Sequence, residues 1–299
     1  MEPSAQTQTG SEQGELTPPE LVCRAAKLVS LPEACIRIND MIDDPRYAAA
    51  DIGEVISTDA ALTARILRIV NSSFYGFPSR IDTVSRAITI IGVRDLRDLV
   101  LATSAVDVFS KVPNELVDMG TYWRHNVFTG VLARMIACEC NVLHAERLFV
   151  TGLLHDIGAL VTYSQLPDLS RDALLIAAEE PDMVWQAENE VMGFNHADVG
   201  RELLTLWGLP DSLSTVIGWH HQPERATEHQ LDVAIVAMAN TAANVMDENL
   251  EADEFVARIS TNLWQHTGLT PEKLNGMVDD ANMMFAEACS VLLPSQYRL

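Results

Sequence analysis

From about residue 20 onward, apolar side chains recur every three or four positions, the spacing that gathers them on one face of an α-helix. Leu21, Val22, Ala25 and Leu28 form the first such stripe. Asp59 is placed to cap a helix that carries Leu62, Ile66, Ile69 and Val70 on one side. Thr83 or Asp82 opens another, through Val84, Ala87, Ile88 and Ile91, which Gly92 should close as a left-handed stop. Residues 93–109 continue with Leu96, Leu99, Val100 and Val106. Beyond KVPNELVDMG (111–120), helices are predicted over 123–141, 145–163, 171–178 and 184–191, then over 255–264 and 271–293. No stretch of useful length alternates as a strand does, so the predicted fold class is all-α.

The first 20 residues mix Ser, Thr, Gln, Pro and Glu with almost no large apolar side chains and read as a disordered tail. The Pro, Asn and Gly of 111–120 mark a break. The organisation expected is therefore a tail at 1–20, an N-terminal helical lobe at 21–110 and a larger C-terminal helical lobe at 111–299. No repeat of solenoid length is visible. The helices beyond residue 249 are expected to pack back on the second lobe, and the sequence assigns them no chemistry.

Composition narrows the function. With 48% hydrophobic and 21% charged residues the 299-residue chain can bury a sizeable core. Its 42 acids against 20 bases leave a formal charge of −22, which repels phosphate backbones and anionic lipid. Nucleic acid and membrane are accordingly not expected as partners. The longest uncharged apolar stretch, 233–246, has 14 residues including two Asn, too short and too polar to span a bilayer. The N-terminus has neither a basic start nor an apolar block, so no signal peptide is read there. Five cysteines without framework spacing fit free thiols in a reducing cytoplasm. Cys138 and Cys140 form a CxC pair, but two residues apart on a helix they point to different sides.

The charge is uneven. Residues 61–100 hold six Arg against three Asp, a local +3, whereas 171–260 hold 17 acids and four Arg, a local −13. The arginines flank NSSFYGFPSR (71–80), where Asn, Ser and Tyr look exposed. One reading is a solvated face with local ion pairs. The other is a docking surface for an acidic partner or a small phosphorylated ligand, with Arg65, Arg68 and Tyr75 as its test positions.

Histidine placement is the most informative chemistry. His155 and Asp156 adjoin in TGLLHDIG, His220 and His221 adjoin in VIGWHHQP, His125 lies early in a helix and His196 opens one. Each histidine alone reads as a hydrogen-bonded core or boundary residue. Burying so many imidazoles without a shared partner would cost desolvation several times over, and a bound cation would satisfy them together. His144, His229 and His266 read as ordinary surface residues.

The order His … His-Asp … His … His-His … Asn resembles the HD superfamily of metal-dependent phosphohydrolases. More closely, residues 20–240 resemble an HDOD-domain protein, the HD-related output domain of bacterial signalling. The motifs that carry this are LPE (31–33), STDAALTARILRIVNSSFYG (57–76), IDTVSRAITIIG (81–92), GLLHDIG and the HHQP turn. The resemblance implies a metal set of His125, His155, Asp156, His196, His220, His221 and Asn240. It also implies one or two divalent ions, with iron or manganese expected.

Departures from the active enzymes qualify that carry-over. The closing ligand is Asn240 rather than Asp. The HD-GYP phosphodiesterases have Lys where this chain has Ala159, Glu where it has Thr121, and a Gly-Tyr-Pro loop that is missing after His221. Loss of these charges removes the groups that neutralise phosphate and hold further metals. The expected function is a stand-alone regulatory module acting through an unidentified signalling partner, non-catalytic, with a metal-bound pocket. The alternative is a metal-dependent phosphohydrolase acting on a nucleotide or cyclic nucleotide.

Overall fold

A computed structural model describes residues 16–72, 75–248 and 256–298. Every long element among them is helical and none is a strand. In chain order the helices are α1 (Pro18–Ala25), α2 (Glu33–Ile42), α3 (Ala49–Thr58), α4 (Ala60–Val70), α5 (Val84–Ile91), α6 (Val93–Phe109), α7 (Met119–Glu139) and α8 (Glu146–Leu154). They continue as α9 (Ile157–Gln165), α10 (Pro167–Ile176), α11 (Val184–Met192), α12 (His196–Leu206), α13 (Asp211–Trp219), α14 (Gln230–Glu248), α15 (Thr261–Thr267) and α16 (Pro271–Leu292).

The caps follow local chemistry. Asp59 accepts from the Ala61 and Leu62 amides at 2.9 and 3.0 Å, and Thr83 accepts from Arg86 at 3.2 Å. Each satisfies amides that the first helical turn leaves open. Helix α7 forms the centre of the second half, against α8, α14 and α16. Trp123, Val127, Val131 and Ile136 are fully buried along it, as suits a helix enclosed on most sides. Helix α6 is enclosed in the same way and packs on α2 and α8, so the two halves share one continuous core. Helix α1, grouped by sequence with the first lobe, packs instead on α9 and α12, where the Trp207 indole donates to the Val29 carbonyl at 3.0 Å.

Several sequence expectations need correction. Of the expected tail, residues 1–15 lie outside the described residues, while α1 already begins at Pro18. Gly92 has positive φ (90°) but ψ of 160°, so it is not a left-handed stop. It ends α5 and starts α6 with no loop between, and an extended ψ redirects the chain where a left-handed one would curl it back. The helix expected over 145–163 is two helices broken at His155–Asp156. The one expected over 255–264 is helical at 256–258, is interrupted by an extended Ser260 (φ −62°, ψ 148°) and resumes as α15, with residue 255 outside the described residues.

The described residues of the NSSFYG segment are only partly exposed: Asn71 and Gly76 face solvent, whereas Ser72 is buried and Tyr75 half-buried. Asn71 bonds the Ile81 amide and carbonyl at 2.7 and 2.6 Å, Ser72 is buried, and Tyr75 stacks on Phe77 at 5.6 Å. Arg65 donates to the Thr103 carbonyl at 3.1 Å. These side chains hold the first half together, and residues 73 and 74 lie outside the described residues. The five cysteines are free, and the Cys140 thiol donates to the Thr267 carbonyl, away from its neighbour Cys138.

Candidate metal centre

Five segments of the chain deliver the seven expected residues. His125 stands in the second turn of α7, His155 and Asp156 occupy the α8–α9 break, and His196 is the first residue of α12. His220 and His221 follow α13, and Asn240 sits mid-way along α14. Asn195 caps α12 by accepting from the Ala197 amide at 2.9 Å, which fixes where His196 begins. Gly158 sets the depth of the site. A Cβ there would lie 2.0 Å from the His196 carbonyl oxygen and 2.5 Å from the Gly200 amide nitrogen. Only glycine lets α9 and α12 approach that closely, so Gly158 is what brings Asp156 against His196.

Asp156 is the hub. Its Oδ1 lies 3.3 Å from His155 Nε2, 3.2 Å from His196 Nε2 and 3.6 Å from His220 Nε2. His221 Nε2 lies 2.8 Å from His196 Nε2, and His125 Nε2 lies 3.0 Å from Asn240 Oδ1. The His155 and His125 rings are 5.3 Å apart. Two groups of converging donors result, His125–His155–Asp156 and Asp156–His196–His220–His221, with Asp156 common to both. Asn240 touches the first group through His125. All seven expected residues are thus brought together.

Backbone carbonyls aim the rings. His155 Nδ1 donates to Gly152 at 2.8 Å and His220 Nδ1 to Ile217 at 2.6 Å, which turns each Nε2 inward. Both of these Nε2 atoms are buried without a hydrogen-bond partner. A buried lone pair left this way costs free energy unless something accepts it. Mixed imidazole and carboxylate donors suit iron, manganese or zinc, so the residues present fit a divalent transition metal.

Glu188 on α11 is the member that sequence reading missed. Its Oε2 lies 2.6 Å from His196 Nδ1 and accepts from the His196 amide at 2.8 Å, with both side chains buried. A fully buried Glu beside His196 is visible only in three dimensions, because nothing in the spacing of α11 distinguishes Glu188 from Glu190. Trp185, one turn earlier, stacks on His221 at 5.6 Å and 14°.

The titration pattern is that of a site organised around positive charge. Burial alone would lower the His196 pKa, but Glu188 and Asp156 override it and raise it to about 10. Burial pushes His155 down to about 3, against the pull of Asp156. Burial, with His220 and His196 adding to it, holds His221 well below the usual imidazole range. Burial would also raise Asp156, but the adjoining His155, His196 and His220 rings keep it well below the usual carboxylate range. Two carboxylates, Glu188 and Asp156, therefore favour the charged form of His196, while burial favours the neutral form of His155 and His221.

The site opens on a cleft of about 920 Å³ lined in part by Trp185, His220, His221 and Asn240. Glu179, Glu180, Asp182 and Glu224 bring carboxylates to its wall. Arg258 is the one cationic side chain among its described lining residues, and it pairs with Asp182 at 2.9 Å. Ala159 is buried and supplies no charge, and Thr121 is exposed, its hydroxyl accepting from Arg124 at 2.9 Å.

Comparison with known proteins adds a family and a fold. A family model described as HDOD domain matches residues 28–223. A Treponema pallidum protein, uncharacterized by name, is 28% identical over 227 residues, 75% of this chain but 44% of its own length. The chain thus spans less than half of that curated relative. The crystal structure of an HDOD domain protein from Geobacter sulfurreducens is similar at TM-score 0.75 and 22% identity, covering 93% of this chain and 99% of that one. A Shewanella amazonensis structure, assigned by name alone to the phosphohydrolases, is similar at TM-score 0.70 and 24% identity, covering 91% and 96%. At these identities the likeness to solved structures shows the helical fold.

Proposed function

The chain belongs to the HDOD domain family, and from that premise we propose that it is a regulatory module of bacterial signal transduction, cytoplasmic and non-catalytic, built around a cation-holding pocket. The observation that supports this best is the cleft in front of the histidines. Four carboxylates line it, its one described cation is already paired with Asp182, and Ala159 is buried without charge. Such a wall attracts cations and repels phosphodiesters.

His125, His155 and Asp156 would hold one ion, and Asp156, His196, His220 and His221 a second. When bound, iron or manganese would supply a concentrated positive charge at the inner end of the cleft. The protein's own part is to aim the Nε2 atoms through the Gly152 and Ile217 carbonyls and to set the charge of His196 through Glu188. Output would pass to a signalling protein by surface contact. No described helix is long and apolar enough to cross a membrane.

A second reading, a metal-dependent phosphohydrolase on a nucleotide or cyclic nucleotide, draws on the two unpartnered Nε2 atoms, which leave donors free for an active ion. The deciding experiment measures metals bound to purified protein by elemental analysis, then assays cyclic mono- and dinucleotide hydrolysis with iron or manganese supplied. One or two ions per chain without turnover supports the regulatory module. Turnover that disappears in Asp156→Ala overturns it in favour of the hydrolase.

A further inference from the structure

Helices α7 and α8 cross backbone to backbone at Gly130 and Gly152. A Cβ on Gly152 would lie 2.7 Å from the Gly130 Cα, and one on Gly130 would lie 2.8 Å from the Phe149 carbonyl oxygen. On one side of this crossing the antiparallel pair carries His125 and His155, rings 5.3 Å apart. On the other side Arg134 Nε meets Glu146 Oε1 at 2.6 Å, both side chains largely buried. His125 and Arg134 are nine residues apart on α7, and Glu146 and His155 are nine apart along α8 and its C-cap. At about 1.5 Å per residue, each arm of this pair is roughly 5–9 Å long.

The far end is tied to the first half of the fold. The Arg134 guanidinium lies 5.0 Å from the centre of the Tyr75 ring, and the Tyr75 hydroxyl faces the Glu146 carboxyl. Asp95 on α6 pairs with His144 at 3.1 Å just before α8 begins. At the two glycines the backbones touch without intervening side chains. Such a contact permits a small change of crossing angle at little steric cost.

We propose that the Gly130–Gly152 crossing is a pivot, so that drawing His125 and His155 onto a cation shifts the Arg134–Glu146 pair and through it the Tyr75 segment of the first half. This rests on the reading of the histidine cluster as a cation site and names how that site would be read out. Because coupling free energies are reciprocal, weakening the far end must also alter affinity at the near end.

The test uses the full-length protein and Mn²⁺ alone as the probe. Mn²⁺ should slow amide exchange in peptides covering residues 75–81, and Glu146→Gln should change the Mn²⁺ dissociation constant by about 5-fold or more. Tyr75→Phe, a milder change, should alter it in the same direction, which keeps the test decisive if Glu146→Gln fails to fold. Mn²⁺ binding with wild-type affinity in Tyr75→Phe and unchanged exchange at 75–81 overturns the pivot alone. Wild-type protein that binds no Mn²⁺ overturns the pivot and the cation site together.

Discussion

Glu188 holds His196 at two points, accepting from its Nδ1 at 2.6 Å and from its backbone amide at 2.8 Å, with both side chains buried. One carboxylate therefore fixes the start of α12, the orientation of the ring and the charge that the ring carries. A carboxylate behind an imidazole raises the basicity of the nitrogen that faces a metal.

Glu188→Gln should keep the shape and lose that charge. Mn²⁺ affinity is expected to fall about 10- to 100-fold, read by isothermal titration calorimetry. Without added metal, Glu188→Ala should also destabilise the fold by about 3–5 kcal/mol, because His196 is left buried without its partner. An alanine variant as stable and as metal-competent as the wild type would refute this role.

Asn240 offers a neutral oxygen 3.0 Å from His125 Nε2. Replacing it with Asp puts an anion at the same distance from the His125–His155–Asp156 group. Asn240→Asp should tighten Mn²⁺ binding by about tenfold or more, since one added charge contact there is worth over 1.4 kcal/mol. Titration of the variant beside wild type checks it, and weaker binding would count against the assignment.

Two glycines should respond oppositely to alanine. Gly158→Ala drives a Cβ to within 2.0 Å of the His196 carbonyl and should cost about 3 kcal/mol or more by forcing α9 from α12. Gly276→Ala, inside α16 with nothing within 4 Å, should stabilise by about 0.5–1 kcal/mol. Urea denaturation of both variants measures the pair, and equal effects would mean that the close approach at Gly158 is not what holds the site.

Away from the histidines, stability should fall with rising pH through a mildly acidic window. Burial pushes Asp98 up to about 6 from a usual 3.8, against the pull of Arg97, its partner at 2.7 Å. Burial also raises its neighbours Asp95 and Glu146. A folded-state pKa above the unfolded one means the native state binds more protons in between. The contribution is therefore present below pH 3.8 and is lost as pH rises through about 6. For Asp98 this amounts to something on the order of 3 kcal/mol. Asp98→Asn should flatten that part of a chemical-denaturation series run from pH 4 to 7 at constant salt, and a wild-type slope of the opposite sign would contradict the assignment.

Most of the helices were legible in the sequence because their signals are local. Asp59, Thr83 and the residues of 93–109 mark ends and faces through caps and a 3.6-residue period, and the structure follows them to within a residue. Where tertiary contacts override the period, the reading failed. The helix expected over 145–163 breaks at His155–Asp156 because α9 must turn onto α12. Tyr75 and Arg65 look like a surface in one dimension, yet are consumed by packing in three.

The sequence by itself determined an all-α chain, because helix period and caps are written in neighbouring residues, and it pointed to seven side chains through the adjacent His-Asp and His-His pairs together with the family resemblance that adds Asn240. Only the tertiary structure decided that Asp156 is shared by two donor groups, that Glu188 stands behind His196, and that α7 and α8 cross at Gly130 and Gly152. Those relations join residues on different helices, and no periodicity within one helix can encode the distance to another.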